Sequence, residues 1–282
     1  MNSTYVKELA TKILSPPTFD GKEFIRLLTH YEYCEDYAIK WTKERIPFVF
    51  QVVILYLIVI FGIQRFMKNR EPFQLTIPLA IWNGMLTIYS IWSCWNLKDD
   101  FFRTVYNKGF VKSWCVLGNY SHGTTGYIVW LFAVSKIVEL GDTIFLVLRK
   151  KPLMFLHWYH HIVTLIFTFT FVIQLPAFTR WGVFLNFLVH SFMYFYFFLR
   201  CLKVRLPKVF PVIITSLQII QFVISCSGLV DIGYRIYILN EDCDTNTFIH
   251  GFASIMDLSY LLLFINLFIN SYLKRSEKVK EE

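Results

Sequence analysis

Seven apolar stretches of about 20 residues constrain what this chain can fold into. They run roughly over 46–64, 74–95, 124–148, 153–174, 181–200, 209–229 and 248–272. A helix of about 20 apolar residues spans the ~30 Å hydrocarbon core of a bilayer. Hydrocarbon supplies no partner for backbone N–H and C=O groups, so such stretches cross as helices. The expected fold is an all-α polytopic membrane protein with seven transmembrane helices. Composition agrees: 55% hydrophobic and 19% aromatic residues exclude an ordinary soluble domain.

The net charge of +8 comes from 28 Lys and Arg against 20 Asp and Glu. The cations sit in short loops between spans, which argues against nucleic acid and fits the bias that sets orientation. Arg65, Lys68 and Arg70 follow the first span, and Arg149, Lys150 and Lys151 separate the third from the fourth. Arg200, Lys203, Arg205 and Lys208 separate the fifth from the sixth, and Lys274, Arg275, Lys278 and Lys280 follow the seventh. With seven spans all four clusters fall on one side, expected to be cytosolic. The amino terminus and the 96–123 and 230–247 loops then face the lumen. Asn2 and Asn119 both head glycosylation acceptor patterns and lie on that lumenal side.

No secretory signal pattern precedes the first apolar run, which must act as both signal and anchor. The expected organisation is a lumenal segment over 1–45, a membrane domain over 46–273 and a cytosolic basic tail over 274–282. In that tail Lys278 and Lys280 resemble a dilysine retrieval signal of the endoplasmic reticulum, with a solvated charged tail as the alternative. Cys115 and Cys243 both fall in lumenal loops, where a disulfide between them or two free thiols are both open.

Within the spans, polar residues gather in patterns. His157, His160 and His161 stand at i, i+3 and i+4, one face of a helix. Lys136, Glu139 and Thr143 share a face of the third span, with Asp142 three residues past Glu139. Each charge at a helix centre costs roughly 2.5–3.5 kcal/mol on an insertion scale, so these groups must pair or meet a ligand. A structural ion-pair network is the alternative to a site. The fifth span carries Asn186, His190 and Tyr194 at i+4 steps, the sixth Thr215, Gln218 and Gln221, and the seventh Asp257. Polar faces on several spans favour a shared polar cavity over interhelical glue.

Imidazoles serve as metal ligands, bases or nucleophiles. A diiron desaturase or hydroxylase uses about eight histidines in several boxes. This chain has seven, and His30, His122 and His250 lie outside the shared depth. Two irons look underligated, while one zinc ion on three histidines stays open by count. The metal-free alternative is acyl transfer, in which a neutral imidazole attacks a thioester and then leaves. A non-enzymatic seven-helix receptor or transporter is the third reading.

Four motifs in order carry a resemblance. Lys136-Ile-Val-Glu139-Leu-Gly-Asp142-Thr143 resembles KxxExxDT, and His157-Trp-Tyr-His160-His161 resembles HxxHH. His190-Ser-Phe-Met193-Tyr194-Phe-Tyr196-Phe197 resembles HxxMYxYY, with Phe197 where a tyrosine is expected. Thr215-Ser-Leu-Gln218-Ile-Ile-Gln221 is similar to TxxQxxQ. Over residues 46–273 the chain resembles the very-long-chain fatty acid elongases of the endoplasmic reticulum. The resemblance implies a 3-ketoacyl-CoA synthase (an acyltransferase) that condenses a long-chain acyl-CoA with malonyl-CoA to give 3-oxoacyl-CoA, CO2 and CoA.

It also implies seven helices, six of them, the second to the seventh, closing around an acyl tunnel that CoA enters from the cytosolic side; the charge bias makes this a multi-pass protein with its amino terminus lumenal and carboxyl terminus cytosolic. No cofactor is implied beyond the CoA substrates. The partners implied are membrane lipid and the ketoreductase, dehydratase and enoyl reductase of the cycle; a homo-oligomer is compatible with it. His160 is then the expected nucleophile, forming an acyl-imidazole, with His157, His161 and His190 as bases or orienting groups. Lys136, Arg149, Lys150 and Lys151 are candidates for CoA phosphates, with Glu139 and Asp142 beside them. Gln218, Gln221, Asn186 and Tyr194 are candidates for polarising the carbonyl. The HWYHH variant and the spacing from Asn186 to His190 look more like the branch that elongates saturated and monounsaturated chains.

Overall fold

The computed structural model describes residues 33–274 together with 22, 25, 28 and 29. Among the described residues the secondary structure is helical: α1 (Glu35–Glu44), α2 (Ile46–Phe66), α3 (Thr76–Lys112), α4 (Gly123–Glu139), α5 (Gly141–Leu148), α6 (Phe155–Gln174), α7 (Thr179–Cys201), α8 (Val209–Tyr237) and α9 (Thr247–Phe268), with a π-helical turn at Ile269–Leu273. Five stretches are long and apolar enough to cross a membrane: Ile46–Phe66, Phe155–Gln174, Thr179–Cys201, Val209–Tyr237 and Thr247–Leu273. The chain is therefore a multi-pass membrane protein.

The other two expected spans take a different form. Helix α3 does not stop near residue 95 but continues to Lys112, so most of the expected 96–123 loop is helical. Hydropathy ends at Asn96, yet nothing there breaks a helix until Gly109, whose φ of 79° the other residues rarely adopt. The expected third span is interrupted at Leu140, between α4 and α5. The expected 230–247 loop likewise shortens, because α8 runs on to Tyr237. Asn2, Lys278 and Lys280 lie outside the described residues.

The chain forms two compact units, 1–74 with 121–175 and 75–120 with 176–282. In the first, α4 packs on α6, α2 packs on α5 and α6, and α1 packs on α4 and α6. Trp41 of α1 meets Trp130 of α4 edge to face at 5.4 Å. Helix α6 ends at Leu175, in the left-handed region at φ 44°.

In the second unit α3 packs along α7, and α8 packs on both α7 and α9. The side chain of Asn246 caps α9 by accepting from the Ile249 N–H at 2.9 Å. At the end where α3 stops, several ties converge. Cys115 and Cys243 are joined by a disulfide. The Leu117 N–H donates to the Asp244 carboxylate at 2.7 Å, and the Asp244 N–H donates to the Cys115 carbonyl at 2.8 Å. Trp114 stacks on Trp181 at 4.7 Å, and only a glycine at 228 fits beneath it, since a Cβ there would lie 2.5 Å from the indole.

Arg180 of α7 is the centre of this knot. It is 2% exposed. Its Nε donates to Asp100 at 2.8 Å, one Nη to the Val116 carbonyl at 2.8 Å and the other to the Leu117 carbonyl. Tyr120 lays its ring 4.8 Å from the guanidinium; burial pushes this phenol up from its ordinary value, so it presents a neutral face. Removing the cation leaves Asp100 and two carbonyls without their donor. Arg180→Met is expected to cost about 3–5 kcal/mol, read as a fall in the thermal unfolding midpoint of roughly 6–15 °C. An unchanged midpoint would show that these contacts carry no stability.

Candidate functional site

The imidazole face belongs to the first unit. Helix α6 starts at Phe155, after Met154 in extended conformation, so His157, His160 and His161 lie in its first two turns. The His157 and His161 rings are 4.7 Å apart between centroids, and His160 and His161 are 5.7 Å apart. Phe155 stacks on Tyr159 at 5.0 Å on another side of the helix. His157 Nε2 is buried and has no hydrogen-bond partner among the described residues. A buried imidazole nitrogen left open carries a desolvation cost, and a ligand would remove it. The face therefore offers one open nitrogen on His157, with the His161 ring beside it and the His160 ring next to that of His161.

Helix α4, packed on α6, carries the charged residues. Lys136 and Glu139 are each 3% exposed. The Lys136 Nζ donates to both Glu139 oxygens, at 2.7 and 3.0 Å, and the Ser135 hydroxyl donates to the same carboxylate at 3.1 Å. The ammonium also lies 4.2 Å from the Phe132 ring centroid. The ion-pair alternative left open by the sequence is thus the arrangement found for Lys136. Asp142 sits in the first turn of α5. Thr143 is buried and shares a 2.7 Å hydrogen bond with the Tyr56 hydroxyl of α2. Tyr56 escaped the sequence reading, because a lone tyrosine in an apolar span gives no periodic signal.

Arg149, Lys150 and Lys151 follow α5. Lys150 takes a left-handed conformation, φ 53°. Its Nζ donates to the Lys68 and Arg70 carbonyls at 3.1 and 3.0 Å. Lys151 is exposed and Arg149 half-buried.

The second unit holds the other polar faces. On α7 the Asn186 amide lies 3.3 Å from His190 Nε2, and Tyr194 meets His190 edge to face at 5.3 Å. All three are buried. With the amide NH2 donating, Nε2 is the acceptor and the imidazole proton sits on Nδ1. Gln218 of α8 reaches the Met193 sulfur of α7 at 3.4 Å, and Gln221 is buried one turn away. Thr215 shares a hydrogen bond with Tyr272 at 3.2 Å. Asp257 of α9 accepts from the Ser225 hydroxyl of α8. Phe197 is 46% exposed, so a hydroxyl there would point away from the buried face of α7.

Sequence reading missed the buried polar edge of α3, formed by Asn83, Thr87, Ser90 and Ser93. Their spacing of four, three and three residues was the available signal. Cys115 and Cys243 are paired as described above, and Asn119 is exposed in a turn. Among the described residues no three His, Cys, Asp or Glu side chains are grouped as they would be to hold a metal ion.

Comparison with known proteins places these motifs. The chain is 47% identical over 264 residues to long chain fatty acid elongase 1 of Caenorhabditis elegans, covering 93% of this chain and 92% of that protein. It is 37% identical over 250 residues to long chain fatty acid elongase 2 of the same organism, covering 87% and 90%. It is 34% identical over 255 residues to very long chain fatty acid elongase 3 of Homo sapiens, covering 87% and 93%. Residues 41–280 match the ELO family, described as the GNS1/SUR4 family, and that span contains the histidine face, the Lys136–Glu139 pair and the polar faces of α7 and α8. This chain belongs to the GNS1/SUR4 (ELO) family.

Proposed function

We propose that this protein is the condensing enzyme of fatty acid elongation, joining a long-chain acyl-CoA to malonyl-CoA to give 3-oxoacyl-CoA, CO2 and CoA. The relatives named as fatty acid elongases support the reaction class. The observation that carries the chemistry is the three-imidazole face of α6, with an open buried nitrogen on His157. His160 attacks the acyl thioester carbonyl; the new C–N bond forms as the C–S bond breaks, and CoA leaves as its thiol with the imidazole proton. His157 and His161 relay that proton from His160 to the departing sulfur. Malonyl-CoA then loses CO2, and its α-carbon attacks the acyl-imidazole; the C–N bond breaks, and a proton drawn from water through the same relay restores the neutral histidine. His190, oriented by Asn186, is proposed as a further base, and Gln218, Gln221 and Tyr194 as groups that polarise the carbonyl.

The proposal carries seven spans, with the apolar part of α3 as the second and α4 with α5 as the third. With them go the acyl tunnel that the family resemblance implies and residence in the endoplasmic reticulum, amino terminus lumenal. The other enzymes of the cycle act on its product from the same membrane. Arg149 and Lys151 are proposed to meet CoA phosphates, and saturated or monounsaturated chains are the proposed substrates. Lys136 is assigned instead to the ion pair that it makes with Glu139.

Reconstituted protein given palmitoyl-CoA and carboxyl-labelled malonyl-CoA is expected to release labelled CO2 and form 3-oxoacyl-CoA. His160→Ala is expected to lower the rate by at least about 10³-fold. Full activity in a folded His160→Ala variant would contradict the mechanism. Lys136→Met, leaving Glu139 buried without its cation, is expected to cost about 3–5 kcal/mol of stability with KM for malonyl-CoA unchanged in the folded fraction. A raised KM at unchanged stability would return Lys136 to the phosphate site.

A further inference from the structure

Helix α3 is 37 residues long, about 55 Å at 1.5 Å per residue, and so exceeds the ~30 Å of bilayer hydrocarbon by about 25 Å. Packing fixes how its second half is rotated. Leu97 and Phe101 are buried, Phe101 stacks on Phe184 of α7 at 4.1 Å, and Asp100 accepts from the Arg180 guanidinium at 2.8 Å. The opposite face is thereby turned outward. In the first half of α3 the outward residues are Ile77, Ile81, Met85 and Ile88, each more than half exposed. Trp95 follows two turns after Ile88, Phe102 two turns after Trp95, and Tyr106 one turn further. At 100° per residue, Ile77 and Tyr106 lie within about 20° of one line along the helix. The outward apolar line therefore keeps its direction past the point where hydropathy falls.

What changes at Trp95 is the chemistry of the line. Aliphatic side chains give way to aromatic ones, and charge appears on both flanks. Lys98 Nζ lies 3.8 Å from the Trp95 ring centroid and 3.5 Å from the Asp99 carboxylate. Arg103 is exposed on the other flank. Aromatic rings bordered by long cationic side chains are the composition that suits the headgroup region of a bilayer. Tyr106 is 90% exposed and Phe102 59%, and water gives such rings no return for their apolar area. A line one side chain wide, with charge on either side, is too narrow for a stable protein interface. Length sets the geometry. From Ile77 to Trp95 is about 27 Å, enough to fill the hydrocarbon. From Ile77 to Tyr106 is about 44 Å, against about 36 Å from the far edge of the hydrocarbon to the near headgroup surface. A tilt of about 35° closes that difference, within the range that transmembrane helices adopt.

We infer that residues 95–106 of α3 form a membrane-surface element, with Trp95, Phe102 and Tyr106 resting in the phospholipid headgroup region on the side where α3 ends, lumenal in the proposed topology. The inference rests on the proposed reading of the first half of α3 as the second span. The occupant of this face is the bilayer itself, and Lys98 and Arg103 stand at the height of the lipid phosphates. The bond from Arg180 to Asp100 and the stack of Phe101 on Phe184 hold the aromatic line toward the lipid.

The test uses the full chain in phosphatidylcholine nanodiscs wide enough for two copies. The free cysteines are removed as Cys34→Ser, Cys94→Ser, Cys201→Ser and Cys226→Ser, and one cysteine is introduced at a time, with folding checked by circular dichroism. Tyr106→Cys is compared with Lys108→Cys, an exposed position about 200° further round α3. Phe102→Cys replaces Tyr106→Cys if the latter does not fold. A fluorophore at 106 is expected to be quenched by headgroup spin-labelled lipid at least about threefold more than one at 108, and a water-soluble maleimide to react about tenfold faster at 108. Equal quenching and equal reaction rates in the folded variants overturn the inference. A disulfide between two chains at position 106, with no lipid quenching, also overturns it and assigns the line to a second copy. Ile88→Cys reports separately on the second-span reading. Fast maleimide reaction at 88 overturns that reading and the inference with it; lipid quenching at 88 with water access at 106 overturns the inference alone.

Discussion

Hydrocarbon gives a polar side chain no water to pair with, and this constraint organises the molecule. Lys136 and Glu139 answer it with a bidentate contact at 2.7 and 3.0 Å. Tyr56 and Thr143 answer it with a shared hydroxyl bond, and Ser225 and Asp257 with another. Asn186 turns its amide to His190. His157 Nε2, like Ser93 Oγ and Trp114 Nε1, is buried with no hydrogen-bond partner among the described residues; of these three it alone is a basic nitrogen within a cluster of imidazoles.

The two units differ in what their buried polar groups hold together. The knot around Arg180 ties the end of α3 to the start of α7 and to the chain before α9 through a guanidinium, a disulfide and a buried indole stack. The histidines of α6 sit instead beside the loop that follows α5, in the first two turns of their helix. There the His157 and His161 rings, and those of His160 and His161, lie within 6 Å of each other, and one nitrogen keeps an unfilled hydrogen-bonding position.

Much of this was legible in the sequence because it is periodic or local. The i, i+3, i+4 spacing put three imidazoles on one face, and α6 presents them so. Apolar runs marked five helices of sufficient length, and four motifs pointed to the family the chain belongs to. Contacts far apart in sequence were not legible. Arg180 reads as a flanking charge, yet its partners lie 63 to 80 residues away. Hydropathy cut α3 at residue 95 because it scores burial in lipid; helix propensity and the packing of Phe101 on Phe184 at 4.1 Å carried it onward. The break at Leu140 fell inside an apolar run with no proline to announce it.

The claim at the centre of this account is that a histidine of α6 carries the acyl chain between two half-reactions. The direct measurement is intact mass of the purified protein after palmitoyl-CoA alone, without malonyl-CoA, followed by peptide mapping. The account predicts one added palmitoyl group on the peptide over 153–175, with an equivalent of free CoA released. No adduct, with CoA released only once malonyl-CoA is present, would contradict it and replace the two half-reactions with a direct condensation.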